Sequence, residues 1–193
     1  MGGGDHATVL HYVDNKDELR DGDLVLVDAG CEQDCYASDI TRTFPVNGVF
    51  SPEQKALYEL VLDAQLAAID KVRPGNPYSA PHQAVIRVLT KGLIKLGLLK
   101  GTPAKLIKDE SYKKFVMHGT GHWLGMDVHD VGDYKIDGHW RVLEPGMVLT
   151  IEPGLYISAD SKGVAQKWRG IGIRIEDDVL VTKDGHDVLS SQV

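Results

Sequence analysis

The chain has 193 residues, enough for one domain with a substantial core. With 42% hydrophobic and 25% charged residues, its composition is typical of a soluble globular protein. A net charge of −7 argues against nucleic-acid binding, and no apolar run approaches the about 20 residues that span a bilayer.

The only cysteines are Cys31 and Cys35, and the segment at the N-terminus has no apolar stretch typical of a signal peptide. A disulfide between them would close only a very short loop. We therefore predict free thiols and a cytoplasmic protein.

The first predicted elements are short strands. Residues 1–5 predict a loose segment, and residues 8–13 predict a short β run that contains His11. The apolar runs at 24–28 and 36–44 then predict an antiparallel hairpin.

Two helices are predicted next. Ser51 is a suitable N-cap, Pro52 suits the first helical position, and Gln54 can complete a capping box. This signal predicts a helix over 51–72, and apolar periodicity predicts a second over 79–96.

The remaining elements are predicted without a linker, so that 1–193 form a single domain. In chain order they are a charged irregular connector at 98–114, an extended segment at 115–118, a loop rich in glycine and histidine at 119–137, a second hairpin of strands 147–152 and 171–181, and a short strand at 188–189.

Two stretches of the chain repeat one pattern. GDLVLVDAG and GMVLTIEPG align without a gap, and each is an apolar β run opened by glycine and closed by an acid and a second glycine. The acids are Asp28 and Glu152. A further acid follows on the next β run of each copy, Asp39 in the first and Glu176 in the second. Core packing does not explain acids at matching points of a repeat.

These acids and His122, in the segment HGTGH between the copies, predict a metal centre. Oxygen donors with one imidazole suit Mn²⁺, Co²⁺, Fe²⁺ or Zn²⁺, and clustered carboxylates need cations to offset their repulsion. Two cations ~4 Å apart can share a water and make hydroxide at neutral pH. By symmetry Asp39 and Glu176 would bridge both ions, Asp28 would complete one site, and His122 with Glu152 the other.

Other interpretations of the histidines are weaker. His118 and His122 have the spacing of a zinc-protease helix, but glycines at 119 and 121 disfavour a helix. His11 alone is more typical of a strand histidine than of a catalytic one. Four further histidines predict ordinary surface positions: His6, His82, His139 and His186.

The repeat also predicts helices that should precede the first hairpin. The second hairpin follows two helices, whereas none precedes the first, so we expect that the chain starts inside a larger fold and lacks an N-terminal helical pair. The first hairpin should then expose an apolar patch of more than a few hundred Å². Its candidate residues include Leu24, Val25, Leu26 and Val27.

The string HGTGHWLGMDVHDVG, with DAG and SDITRTFPV before it and EPGLY and GIGIRIEDD after it, resembles the pita-bread metallopeptidases. Within them it is most similar to the bacterial aminopeptidases P, or Xaa-Pro aminopeptidases. The resemblance implies an α+β fold, in which helices pack on a curved antiparallel sheet with a pseudo-twofold repeat. It also implies that 1–193 are a partial catalytic domain, without the family's N-terminal domain and first helical pair.

The resemblance assigns roles to individual residues. Glu152 matches the acid that accepts a proton from the attacking water, and His129 the histidine that contacts the scissile peptide. His11 and His118 match substrate-binding histidines, with His11 near the leaving group. Arg174 resembles an arginine just behind the ligands, which we count among the substrate-binding residues. The five metal ligands implied are Asp28, Asp39, His122, Glu152 and Glu176.

The implied function is hydrolysis of the bond between an N-terminal residue and a following proline. Two divalent cations are expected, foremost Mn²⁺. The expected partners are peptides with proline at the second position. Binding to nucleic acid or to a membrane is not expected, and formation of a homo-oligomer is left open. The alternatives are a prolidase restricted to Xaa-Pro dipeptides, an inactive peptide-binding module, and a truncated product without activity.

Overall fold

A computed structural model describes residues 1–193 as a mixed α+β structure. The α-helices are α1 Pro52–Ile69, α2 Ser79–Lys95 and α3 Pro103–Lys108. The strands are β1 Gly2–Gly3, β2 Leu24–Ala29, β3 Glu32–Gln33, β4 Tyr36–Ala37, β5 Ile40–Pro45, β6 Lys135–Ile136, β7 His139–Trp140, β8 Val148–Ile151, β9 Gly154–Ile157, β10 Ile171–Arg174, β11 Asp177–Val181 and β12 His186–Val188.

The first predicted hairpin is formed by β2 and β5, which pair antiparallel with Asp28 opposite Thr41. We call these strands the N-terminal pair. The strand predicted at 8–13 is wrong, because β1 already occupies the free edge of β2. The chain instead forms a 3₁₀ turn over Gly4–Thr8, closed by a bond from the Val9 amide to the His6 carbonyl.

The second predicted hairpin is present but divided. β8 pairs antiparallel with β11, and we call these the C-terminal pair. β9 pairs with β10, and β12 adds to the outer side of β11. The single strand predicted over 171–181 is wrong, because the chain changes partner from β9 to β8 and leaves Ile175 and Glu176 outside both ladders.

Helices α1 and α2 pack against each other and confirm the two helices predicted from the sequence. The capping box at Ser51 and Gln54 is formed by both reciprocal hydrogen bonds. The inner face of α1 joins the main hydrophobic core, where Leu57, Val61 and Ala64 are fully buried. None of the helices has both the length and the apolar character required to cross a bilayer.

The connector after α2 is more regular than the sequence suggested. Thr102 caps α3 by accepting a hydrogen bond from the Lys105 amide, and Pro103 occupies the first helical turn. A 3₁₀ turn follows at Ser111–Lys114. The extended segment predicted at 115–118 forms no strand, and Phe115 instead fills the core.

The apolar residues of β2 do not form the expected exposed patch. Leu24, Val25 and Leu26 are buried, and Val27 is half-buried. Leu24 belongs to the main core, whereas Leu26 packs with Ala7 in a small separate cluster. The exposed apolar side chains of this region lie on and after β5: Phe44, Val46 and Val49.

Removal of the N-cap side chain of α1 should lower the stability of the folded protein. We expect Ser51→Ala to lower the free energy of unfolding by about 1 kcal/mol, because the Gln54 amide at the start of α1 loses its acceptor. Urea unfolding followed by circular dichroism measures the change. Ser191→Ala, at an exposed position, is the control. Equal stability of the two variants would contradict the role of the cap.

Candidate metal centre and active site

Five side chains predicted as ligands line one cavity of about 240 Å³. The donor atoms form three groups, and within each group all atoms lie within 4.8 Å of one another. One group joins Asp28 and Asp39 with Glu176, and another joins His122 and Glu152 with the same Glu176. The third joins Asp39, His122 and His129. The repeated acids of the sequence therefore meet in space, and Glu176 belongs to two of the groups.

Strand ends bring the four carboxylates together. Asp28 lies near the end of β2, and Glu152 comes directly after β8. Asp39 directly precedes β5, and Glu176 lies in the break between β10 and β11. The sequence prediction placed Asp39 and Glu176 within strands, and in this detail it is wrong. Because both residues lie outside the ladders, contacts other than strand pairing must hold them.

The orientation of His122 is fixed by its own neighbour. Its Nδ1 lies 3.0 Å from the carbonyl oxygen of Trp123, so Nδ1 carries the hydrogen and donates it. Nε2 then faces the carboxylates, 3.4 Å from Asp39 Oδ2 and 3.7 Å from Glu152 Oε1. This arrangement, with one ring nitrogen tied to a backbone carbonyl, is the usual support of a metal-binding imidazole.

The buried carboxylates hold protons more tightly than usual. Burial, together with the charges of Glu152 and Asp39, raises the pKa of Glu176 to about 9. Burial also raises the pKa of Glu152 to about 7, and the charges of Asp39 and Asp28 add to this effect. Without a cation, these acids compete for protons because they are close to one another and far from water.

Asp39 and His122 form a charge-complementary pair within the cluster. Burial opposes the charge of Asp39, but hydrogen bonds with His122 and Asp28 outweigh it and lower the pKa. Burial likewise opposes the charge of His122, but Asp39, the Trp123 carbonyl and Glu152 raise its pKa to about 9. His122 and Asp39 thus each favour the charged form of the other.

The other predicted histidines surround the same cavity. His129 is exposed, and its ring centre lies 4.2 Å from that of His122. His11 lines the cavity from the segment after the first 3₁₀ turn. His118 Nδ1 donates to the Gly119 carbonyl at 2.7 Å, and burial lowers the pKa of His118 to about 4. His118 is therefore a neutral group at physiological pH.

Arg174 connects the carboxylates to His118. Its guanidinium donates to Asp28 Oδ2, to the Tyr156 hydroxyl and to Thr41 Oγ1. The Tyr156 hydroxyl in turn donates to His118 Nε2 at 2.7 Å. Arg174 is only 4% exposed, so this charge is kept inside the protein by its carboxylate and hydroxyl partners.

Several polar residues of the site were missed in the sequence. The prediction that His82 is a surface residue is wrong: it is half-buried, and its Nδ1 lies 2.8 Å from Thr120 Oγ1. Thr41 is fully buried and donates to Glu176 Oε2 at 2.6 Å. No periodic signal distinguishes His82, whereas the inward position of Thr41 on β5 could have identified it as a polar residue in need of a partner.

The donor set fits divalent cations. Four carboxylates and one imidazole whose Nε2 is free to coordinate suit hard and borderline metals. The raised pKa values of Glu152 and Glu176 follow from the burial of these carboxyl groups close to other carboxylates. A cation would offset this repulsion and displace the protons, as expected for metal binding to acidic ligands.

The sequence matches metallopeptidase family M24 over residues 1–183. The chain belongs to this family. It is 54% identical to the Xaa-Pro aminopeptidase of Haemophilus influenzae over 193 residues, which are all of this chain and 44% of that protein. The chain thus spans less than half the length of this relative.

Solved structures give the same result. The aminopeptidase PepP of Pseudomonas aeruginosa is 61% identical with a TM-score of 0.98, over all of this chain and 43% of that one. A zinc-substituted Escherichia coli aminopeptidase P, solved in complex with product, is 51% identical with a TM-score of 0.95 over the same shares. The α+β pita-bread fold predicted from the sequence is thereby confirmed.

Cation binding should stabilise the protein measurably. A cation at 100 times its dissociation constant adds about 2.7 kcal/mol to the free energy of unfolding, provided that it binds only the folded state. We therefore expect Mn²⁺ or Co²⁺ to raise the melting temperature and a chelator to lower it again. The variant Asp39→Asn should lose most of this response. A wild-type melting curve that ignores both additions would contradict the metal centre.

Proposed function

We propose that the protein is a metal-dependent aminopeptidase that hydrolyses the bond between an N-terminal residue and a following proline. The observation that carries the proposal is the convergence of all five donor side chains around one cavity. Membership of family M24 and the names of the similar proteins support it. A binding module that had lost catalysis would be expected to have lost some of these donors.

We also propose two divalent cations, with Mn²⁺ foremost, because oxygen donors dominate the set and Glu176 is shared between two donor groups. Asp28, Asp39, His122, Glu152 and Glu176 would hold them. When bound, they supply a hydroxide at neutral pH and polarise the peptide carbonyl. The zinc-substituted relative supports Zn²⁺ as one alternative occupant.

Glu152 is the proposed proton carrier of the reaction. Its carboxylate accepts the proton of the attacking water and delivers it to the proline nitrogen as the C–N bond breaks. The adjacent His118 is neutral and lies with Nδ1 3.7 Å from Glu152 Oε2.

The remaining residues are proposed to bind the peptide. His129, exposed beside His122, would donate to the substrate carbonyl and stabilise the negative charge that develops on its oxygen. His11, His118 and Arg174 line the cavity and would hold the substrate on either side of the reacting bond. Arg174 also donates to Asp28, so it would hold this carboxylate in position as well as contact the substrate.

We place the protein in a reducing cytoplasm. Cys31 and Cys35 are both free and exposed, next to the β3–β4 turn. Two accessible thiols close together in sequence persist more readily under reducing conditions.

A substrate panel distinguishes the candidate functions. The protein, loaded with Mn²⁺, is incubated with an Xaa-Pro-Xaa tripeptide, an Xaa-Pro dipeptide and an Xaa-Ala-Xaa tripeptide. We expect release of the first residue from the Xaa-Pro-Xaa tripeptide and little cleavage of the Xaa-Ala-Xaa tripeptide. Cleavage of the dipeptide alone would identify a prolidase. Binding of the peptides and the metal without cleavage would identify a binding module.

Glu152 should matter for turnover beyond metal binding. Glu152→Gln keeps the shape of the side chain but removes the proton acceptor, so kcat should fall at least about 100-fold. Metal content is measured in parallel, so that loss of cation is not mistaken for loss of the base. Glu144→Gln, at an exposed position before β8, is the matched control. Unchanged turnover in metal-loaded Glu152→Gln would refute the assignment.

A further inference from the structure

Glu176 is the most buried of the five proposed donors, and strand pairing does not hold it. It belongs to two of the three donor groups and is 2% exposed. It lies in the break between β10 and β11, where the chain changes partner strands. Its position must therefore be set by contacts from other parts of the chain.

Those contacts come from β5, a strand of the N-terminal pair. The Glu176 amide donates to the Thr41 carbonyl at 3.0 Å, and Thr41 Oγ1 donates to Glu176 Oε2 at 2.6 Å. Arg42 Nη1 donates to the Glu176 carbonyl at 2.6 Å. The amide, the carbonyl and the carboxylate of Glu176 are thus all bound by two consecutive residues of β5.

The second arm of the Arg42 guanidinium binds the next residue, Asp177. Arg42 Nη2 donates to Asp177 Oδ1 at 2.8 Å. The same carboxylate accepts from Ser190 Oγ at 2.6 Å and from Gln65 Nε2 at 2.7 Å. Asp177 is only 8% exposed, so it is a buried anchor held by β5, by α1 and by the segment after β12.

We propose that Arg42 is a positioning residue for Glu176, fixing its carbonyl and the adjacent Asp177 so that the Glu176 carboxylate is directed into the metal cavity. The inference rests on the proposed function, because it takes Glu176 to be a cation ligand. A planar guanidinium can bind a carbonyl and a carboxylate at the same time, whereas the single ammonium of lysine cannot reproduce this fork.

A purely structural role would have a different signature. If Arg42 only joined β5 to β11, its loss would lower stability and leave cation affinity unchanged in the folded molecules. If it positions Glu176, cation affinity and coordination geometry must change while the five donor side chains are all still present. Loss of a hydrogen bond that supports a metal ligand typically lowers metal affinity by roughly 10–100-fold.

The test compares Arg42→Met and Arg42→Lys with the wild type. Titration calorimetry measures Mn²⁺ affinity, and the visible absorption of bound Co²⁺ reports its coordination. We expect Arg42→Met to bind Mn²⁺ roughly 10–100-fold more weakly with an altered Co²⁺ spectrum, and Arg42→Lys to recover only part of the affinity. The control is Arg73→Met, which removes an exposed arginine bound to Asp70 at the end of α1. It should match the wild type.

The outcomes separate the two proposals. Wild-type affinity and a wild-type Co²⁺ spectrum in folded Arg42→Met would overturn the positioning role and leave the proposed function intact. If Arg42→Met does not fold, Arg42→Lys decides by the same two measurements. Failure of the wild type itself to bind Mn²⁺ or Co²⁺ would overturn the proposed function and this inference with it.

Discussion

Four carboxylates meet around a single cavity, and the surrounding structure must offset their mutual repulsion. Glu176 is almost fully buried, so water cannot screen it. Hydrogen-bond donors from separate elements contact these carboxylates. The guanidinium of Arg174 donates to Asp28, the hydroxyl of Thr41 donates to Glu176, and the imidazole of His122 faces Asp39. These groups offset part of the repulsion and keep the carboxylates directed at one another.

The two strand pairs hold the cavity by reciprocal contacts. The amide of Asp39 donates to Asp178 Oδ2 at 3.2 Å, and the amide of Glu176 donates to the Thr41 carbonyl at 3.0 Å. Thr41 lies two residues after Asp39, and Asp178 lies two residues after Glu176. Each half of the repeat therefore supplies the acceptor for the other half's acid, which extends the sequence repeat into a structural interlock.

The sequence predicted the parts that depend on local signals. The repeated strand–acid pattern brought out the four carboxylates, and the Ser51 cap marked the start of α1. Thr102 carries the same kind of signal, but the sequence does not predict α3, because this short helix has no apolar periodicity of its own. Conversely, the apolar run at 171–181 predicts one continuous strand and gives no sign of the break at Glu176. A change of strand partner depends on tertiary contacts, which the local sequence does not encode. The hydrogen-bond partners of His82 and Arg42 could not be predicted for the same reason, because they are distant in sequence.

The division of the cavity between distant segments has a consequence for folding. Asp28 and Asp39 come before α1, whereas Glu176 comes after α3, so that all three α-helices lie between them in the chain. Contacts of such long sequence separation close large loops and form slowly, after local helices and hairpins have appeared. The donor group of Asp28, Asp39 and Glu176 therefore cannot exist in a nascent or half-folded chain. Under the proposed function, capture of a cation by this group would mark the completed fold, and folding intermediates would stay metal-free there until the last long-range contacts had closed.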